Sequence, residues 1–546
     1  MSARTGRGVS RRVRVRGWLR TESPLHVGGL SDSLGGALLQ GPTAPLPIAF
    51  DGLGRLYVPG TSLAGVLRSW SRGAGPESAA LARLWGNIVE GSGEGRASRV
   101  IVADALVTSD HRLDEHGLPT SPLDPALLEF RPSVGIDRVT GAAAQEILHG
   151  RAVVPAGCFV RLEIDVESGT DAEAESDEAW MGVLLDALQA GEIRVGAATS
   201  RGFGTVRLLD DPLDIVADRL DSPEGLLAVL RDDPARRRSP ASLRETATPD
   251  LPSRREVLEV RVAWRPLAPV MVRGTSNGLV VGTLPLTTRV GRRHLTLALP
   301  GASLKGALRA HAELVEHTAR GPDAASAQTS PSGSAADHSA AFRAQLDRLP
   351  AVRALFGAAR DDTPDRRMGA LRAEECTAEV TIPESLWRTV TGGDEPPRGD
   401  SADDGEEERA SLPEAVLDRL EDHGIAKADH VALDRWTGGA ADGRLFGVLE
   451  PHAVEWEPIR LTVDLTRLGD DRDPALALLL LTLRDLAAAR IPLGALVNRG
   501  FGDIEVTEVT LTGGRWPEPA SLDDVLGGSS ASEIGRAWTD YLEQEV

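Results

Sequence analysis

Cysteine, aromatic residues and long apolar runs are all scarce in this 546-residue chain. The two cysteines, Cys158 and Cys376, fall in different halves, which excludes a disulfide framework and a cysteine-based zinc site and fits a reducing cytoplasm. Aromatics make up 4% of the sequence, too few for base stacking on an open sheet to be the expected way of binding nucleic acid. The best apolar run, Ala475 to Leu483, has the length of a buried helix segment and cannot span a bilayer, so no membrane partner is expected. Arg4, Arg7, Arg11, Arg12, Arg14 and Arg16 crowd the N-terminus, but no apolar stretch follows them, and no signal peptide is expected. A formal net charge of -21 looks wrong for a nucleic-acid binder, yet the charge is unevenly spread and the total decides little.

What the chain does have is a repeat. Gly196-Ala-Ala-Thr-Ser-Arg-Gly-Phe-Gly204 returns as Gly494-Ala-Leu-Val-Asn-Arg-Gly-Phe-Gly502, each time after an amphipathic segment and before a strand-like run. Three glycines free the backbone for positive φ and close approach, and one arginine sits among them. Such a loop offers bare N–H groups and a guanidinium to a phosphate. The surroundings repeat as well. Val13 to Arg20 alternates as a strand with one wet face, and Glu259 to Trp264 matches it. Leu56 to Arg68 reads as a strand end, a Pro-Gly turn and a helix capped by Thr61 or Ser62, and Leu297 to Arg309 is its counterpart. Val134-Gly-Ile-Asp-Arg-Val-Thr-Gly141 opens an excursion, as does Val431 to Gly438. A helix then precedes each Gly loop, over Trp180 to Ala190 and Ala475 to Ala488.

The order strand, helix, strand, excursion, strand, helix, Gly loop, strand fits a βαββαβ ferredoxin-like domain, present twice. The second copy is longer, and nearly all the extra length falls between Pro300 and Asp434. An Ala/Ser/Pro/Gly-rich stretch near 319–340 and an acidic one near 388–412 read there as disordered inserts, the acidic one carrying much of the negative charge. The expected layout is a basic tail 1–11, a first domain 12–210, a charged linker 211–255, a second domain 256–512 and a C-terminal helical tail 513–546.

Five elements, Leu25-His-Val-Gly-Gly29, Val58 to Gly65, Gly135 to Gly141, Val153-Val-Pro-Ala-Gly157 and Thr199 to Gly204, together resemble the RAMP superfamily of CRISPR-associated proteins. More narrowly, the chain resembles two backbone subunits of a type III effector complex fused in tandem, as in type III-D-like systems. The resemblance implies an α+β fold of two ferredoxin-like (RRM-like palm) RAMP domains, each with a thumb β-hairpin insertion. It implies a cytoplasmic subunit of an antiviral defense complex, with CRISPR RNA (crRNA), complementary target RNA and other CRISPR effector subunits as partners. The palm would hold the RNA backbone through Gly60, Ser62, Arg68, Arg201, Gly202 and Phe203 in the first copy. In the second copy the residues would be Gly301, Ser303, Lys305, Arg309, Arg499, Gly500 and Phe501. The thumb bases would be Asp137, Arg138 and Thr140, then Asp434, Arg435 and Thr437, and His26 joins the RNA-contacting set. A sequence-neutral grip suits a guide carrier, because base pairing supplies the reading.

Cleaving members of the family cut target RNA with an aspartate ahead of the Pro-Gly-x-Ser helix, and here that position falls on Pro45 in the first copy and on Gly282 or Thr283 in the second. None of these can bind Mg²⁺ through a carboxylate. Asp32 is the substitute candidate for a target-RNA endonuclease, with Mg²⁺ as cofactor if it cleaves; binding alone requires none. A guide-binding structural subunit and an endonuclease therefore both stand as readings. A duplicated enzyme for a small phosphorylated ligand is a third, for which the sequence supplies no paired acid and base.

Overall fold

The computed structural model describes residues 8–29, 46–88, 95–138, 141–249, 251, 253–274, 281–291, 293–321, 349–358, 367–391, 412–452 and 454–543. They form an α+β protein of antiparallel sheets and helices in two compact units. Unit 1 is Met1–Glu129, Arg151–Thr199 and Phe203–Arg255, and unit 2 is Phe130–Gly150, Ser200–Gly202 and Glu256–Val546. The division departs from the expected 12–210 and 256–512. The middle of the first repeat's excursion and the tip of its Gly loop are assigned to unit 2.

Unit 1 is organised on strand β1 (Arg11–Thr21), which alternates as its sequence requires, with Val13 and Val15 buried. Helix α1 (Gly60–Arg72) and strands β2 (Val100–Val102) and β3 (Ala105–Thr108) follow. Then come β4 (Phe159–Ser168), α2 (Asp171–Ala190), β5 (Val206–Leu208) and β6 (Asp214–Arg219). β4 pairs antiparallel with β1 from Arg11↔Ser168 to Arg20↔Phe159. The far edge of β1 carries β5 and β6, and the far edge of β4 carries β2 and β3. Leu63 and Leu67 of α1 and Trp180, Leu184, Leu185 and Leu188 of α2 share one core with Val160, Leu162, Ile164 and Val166 of β4. The face of β1 read as wet is ion-paired: Arg14 reaches Asp218 at 3.2 Å and Arg16 reaches Asp165 at 2.7 Å.

Residues 211–255 are folded into unit 1 and are not a linker. β6 lies beside β1, helices Pro223–Leu230 and Pro240–Arg244 follow, and Ile215, Val216 and Leu243 are buried. Arg236 donates to the buried Asp218 at 2.9 Å. Part of the charge that suggested a connector forms ion pairs, among them Arg236 with Asp218 and Asp232 and Arg244 with Asp186.

Unit 2 repeats the strand order on β7 (Val257–Pro266), followed by α3 (Gly301–Arg320), β8 (Leu371–Ala373), β9 (Ile459–Asp464), α4 (Arg472–Ala487) and β10 (Ile504–Gly513). The sheet runs β8–β9–β7–β10 and gains β11 (Trp516–Ser521) at its edge. The tail from 513 is therefore partly strand, and the expected helix comes after it as Leu522–Gly527 and α5 (Ser529–Leu542). The predicted disordered ranges also overlap ordered structure: α3 runs through Arg320, and Glu384–Thr391 is helical. Residues 322–348 and 392–411, the bulk of both inserts, lie outside the described residues, as does tail residue Arg4.

α5 is fastened by Tyr541, whose hydroxyl donates to the fully buried Glu316 and accepts from the Ala351 amide at 3.0 Å. Glu316 also accepts from the Val352 amide at 3.0 Å. Tyr541→Phe leaves the Ala351 amide unpaired and removes a donor from a buried carboxylate. The expected cost is about 2 kcal/mol, seen as a lower urea midpoint with unchanged slope.

Candidate nucleic-acid interface

The two Gly loops have one backbone. Gly196, Gly202 and Gly204 sit at φ 85, 90 and 81°, and Gly494, Gly500 and Gly502 at 91, 86 and 87°. The match extends to non-glycine residues, since Ala198 and Leu496 both adopt φ 59°, a conformation that costs an L-residue on the order of 1 kcal/mol. Thr199–Arg201 and Val497–Arg499 each form one 3₁₀ turn that ends on the arginine. The glycines serve the chain's own packing: a Cβ on Gly204 would meet the Val195 carbonyl at 2.0 Å, and one on Gly502 the Leu493 carbonyl at 2.6 Å. Gly202 is equally closed, since a Cβ there would meet the Glu375 amide nitrogen at 2.6 Å, whereas Gly500 faces open space. The phenylalanines expected at the RNA are in the interior. Phe203 and Phe501 are each 4% exposed, and Phe501 packs on Met271 and Val448.

The two arginines are placed differently. Within unit 2, Arg201 shares its surroundings with Lys305 and Arg309, and burial followed by the nearby Arg309 holds its guanidinium below its ordinary value. Burial, and then Arg201, Arg309 and Arg467, bring the Lys305 ammonium down from 10.5 to about 7. Lys305 donates inward to the Leu371 carbonyl at 2.6 Å, so it contributes charge and is no surface contact. Arg309 is held by Glu313 at 2.7 Å. Among the described residues, no carboxylate pairs with Arg201. Such a cluster of part-buried cations is costly alone and is relieved by an anion. Arg499 is exposed, and its guanidinium lies 5.0 Å from the centroid of Phe446, whose ring stacks on His430 at 5.5 Å. Among the described residues it too has no carboxylate partner. A cation held over a ring is oriented without being neutralised.

The helix starts correct a second expectation. The capping positions are Pro59 and Pro300, neither with a side-chain cap, so Ser62 and Ser303 lie inside the first turn and neither they nor Thr61 cap it. Proline's fixed φ suits an entry to the helix without a hydroxyl. Gly60 and Gly301 are needed for close approach to a strand, because a Cβ would meet the Val102 carbonyl at 2.2 Å and the Ala373 carbonyl at 2.1 Å. In the first repeat the helix amide is already taken: Gly60 N–H donates to Asp104 at 2.8 Å. Arg68 is engaged as well, forked onto Glu77 at 2.8 and 2.7 Å, a pairing that raises its pKa. The first helix start is thus neutralised by the protein itself, and the second is cationic.

Two hairpins carry the Asp-Arg runs, Glu129–Ile136 with Ala143–Val153 and Ile425–Leu433 with Ala440–Pro451. Their turns are the same. Asp137 exchanges backbone bonds of 2.9 Å with Ala142 and Gly141, and Asp434 makes bonds of 2.8 Å with Gly439 and Gly438. The Asp434 carboxylate accepts from the Trp436 amide at 2.7 Å, so this aspartate shapes the turn. Arg138 is bound to Glu313 at 2.6 Å, a protein partner. Arg435 and Thr437 are exposed, and Thr140 lies outside the described residues. The sequence reading missed Arg131, which is 3% exposed and bonds Glu375 at 3.1 Å and Thr288 at 2.9 Å. It also missed Phe446 as the seat of Arg499. The signal for Arg131 was its mismatch with the repeat, where Ala428 occupies the equivalent place.

His26 is a core residue. It is 3% exposed, its Nδ1 is 2.8 Å from the Ala152 carbonyl, and burial lowers its pKa, which favours the neutral ring. Its carbonyl faces Gly196 as the Met271 carbonyl faces Gly494, so methionine fills the same place in the second copy. Asp32 and Pro45 lie outside the described residues. Thr283 bonds Gly447 and Leu449 through its backbone. Among the described residues, no group of three His, Cys, Asp or Glu side chains is arranged to hold a metal ion, and no helix is long and apolar enough to cross a membrane.

A comparison with curated proteins gave no significant match. The sequence profile of the RAMP superfamily matches residues 18–207 and 285–505, one stretch for each repeat and each containing a Gly loop. These stretches cover most of the sequence, and the chain belongs to the RAMP superfamily.

Proposed function

We propose that this protein is a CRISPR-RNA-binding backbone subunit of a type III antiviral effector complex, two such subunits in one chain of the type III-D-like kind. Its repeats are read as ferredoxin-like palms, in keeping with the strand order second, third, first, fourth in both sheets, and its hairpins as thumbs. The observation that carries the reading is the pair of un-neutralised arginines, Arg201 and Arg499, borne by loops of identical backbone in the two repeats. Regularly placed cations without base-reading side chains suit a ribose-phosphate backbone whose sequence is read by pairing. The hairpins then space the guide and target. Arg138 is withdrawn from the RNA contacts because Glu313 holds it.

The test is to purify the chain from its native host and sequence any nucleic acid that comes with it. Small RNAs of uniform length with a shared 5′ end are expected. Bulk RNA of random ends, or none, would reject the guide-carrying role. With the guide defined, labelled complementary target and Mg²⁺ separate the structural reading from the endonuclease. The structural reading expects uncut target. One cut, lost in Asp32→Ala with binding intact, would make the first repeat a nuclease; two cuts that survive Asp32→Ala would place the reacting residues elsewhere.

A further inference from the structure

Arg499 is held by a ring that is not part of its own loop. Among the described residues its guanidinium has no hydrogen-bond or ion-pair partner, so the Phe446 ring, 5.0 Å away, is what orients it. Phe446 belongs to the second hairpin, in strand Ala440–Pro451, and stands directly across from His430 of strand Ile425–Leu433. The two rings are stacked, with centroids 5.5 Å apart and planes 14° from parallel.

The stack is tethered from behind. Nε2 of His430 donates to the Glu450 carboxylate at 2.7 Å, and Glu450 is buried and also bonded by Nε2 of His452 at 3.1 Å. His430 lies 6.2 Å from Phe501, the buried ring of the Gly loop itself, and Phe446 and Leu496 pack together on Met271, Val448 and Phe501. A buried carboxylate thus fixes an imidazole, the imidazole fixes a ring, and the ring holds the guanidinium. An exposed arginine normally loses rotamer freedom when it binds an anion, and one already oriented loses less.

The device belongs to the second repeat. By the spacing of the matched turns, His430 corresponds to Ser133 and Glu450 to Val153 (430 − 133 = 450 − 153 = 435 − 138). A serine has no ring to stack and a valine no carboxylate to tether one. Arg201 is instead placed by its burial among cations.

We propose that His430 is a positioning residue for the second RNA grip: stacked on Phe446 and tethered by Glu450, it keeps Arg499 presented to phosphate. The inference rests on the reading of Arg499 as a phosphate contact and adds how that contact is prepared.

The test is a double-mutant cycle on the full-length chain, read as affinity for a labelled single-stranded RNA of mixed sequence. His430→Ala should weaken binding about fivefold, and His430→Phe, which keeps a ring to stack, should restore most of it. In an Arg499→Ala background His430→Ala should have no further effect, whereas with Arg201→Ala the two losses should multiply. A general structural role would lower affinity whichever arginine is present. Circular dichroism and thermal melting check that each variant is folded. A second readout needs no RNA. The Nε–H proton of Arg499, assigned by its loss in Arg499→Lys, should resonate upfield over the ring and move downfield in His430→Ala. Three results would overturn the proposal: an Nε–H resonance that His430→Ala leaves in place, binding that Arg499→Ala weakens and His430→Ala does not, or a His430→Ala effect that persists in full without Arg499. Unchanged binding in Arg499→Ala would reject the phosphate reading of the loop, and with it the RNA role of His430, even where the resonance still responds.

Discussion

Arg201→Ala combined with Arg499→Ala is expected to weaken guide binding by at least about 100-fold at low salt, and equally for every guide sequence. Each substitution removes one charge-assisted bond to phosphate, and such a bond contributes roughly 1.5–3 kcal/mol. The two arginines lie in separate loops, so their effects should nearly add. The plot of log affinity against log salt should become shallower by roughly 0.7 for each phosphate no longer neutralised, the value for single strands. Filter binding or fluorescence anisotropy across a salt series reads both quantities. A weakening confined to certain sequences would mean that these residues read bases.

Lys305 should make anion binding in unit 2 depend on pH. Its ammonium is brought down to about 7 by burial and by Arg201, Arg309 and Arg467. Below that pH the amine is charged whether or not a phosphate is bound. Above it the amine is neutral in the unbound protein, so binding must take up a proton, and affinity should fall as pH rises, by at most about tenfold per unit. Stability of the unbound protein should move the opposite way. In the unfolded chain the amine keeps its ordinary pKa of 10.5 and binds the proton throughout this window, so unfolding takes up a proton and stability rises from about pH 7 upward. Lys305→Met should flatten both profiles, weakening binding at about pH 6 and leaving it nearly unchanged at about pH 9. Calorimetry in buffers of different ionisation enthalpy counts the protons directly. Arg201→Ala, by removing one neighbouring charge, should shift the midpoint upward.

What could be read from the sequence was whatever local chemistry demanded. The Gly loops were legible because only a few residues tolerate positive φ, and three of them recur around an arginine. The strand and helix order followed from period alone. Side-chain destinations were harder. Phe501 sits beside the exposed Arg499 and Gly500, Phe203 beside a part-buried Arg201, and nothing in a nine-residue window tells which side chains turn inward. His26 could have been resolved within the sequence by aligning it with Met271, since a place that accepts methionine is apolar. Residues 211–255 resemble a linker because ion pairs between elements, such as Arg236 of a 3₁₀ turn with Asp218 of a strand, look like solvated charge when read along the chain. The partners of Arg131 lie 244 and 157 positions away, a distance over which no local pattern carries information.

Unit 2 includes Phe130–Gly150 and Ser200–Gly202. The protein therefore cannot be cut into working halves at the obvious place. A fragment beginning at Glu256 contains an entire second repeat, yet it lacks Arg131 and Arg138. Glu375 would be deprived of its buried guanidinium, and a buried pair broken from one side costs roughly 3–5 kcal/mol. Glu313 would keep only Arg309. During synthesis the same dependence runs forward in time. The hairpin and loop tip leave the ribosome long before the surface that receives them and stay uncovered until the second repeat has been made. Fusion of the repeats keeps the two pieces at high effective concentration in that interval. Supplied as separate chains, residues 1–255 and 256–546 should recover the missing ion pairs by finding each other in solution, and only at concentrations high enough to replace the tether.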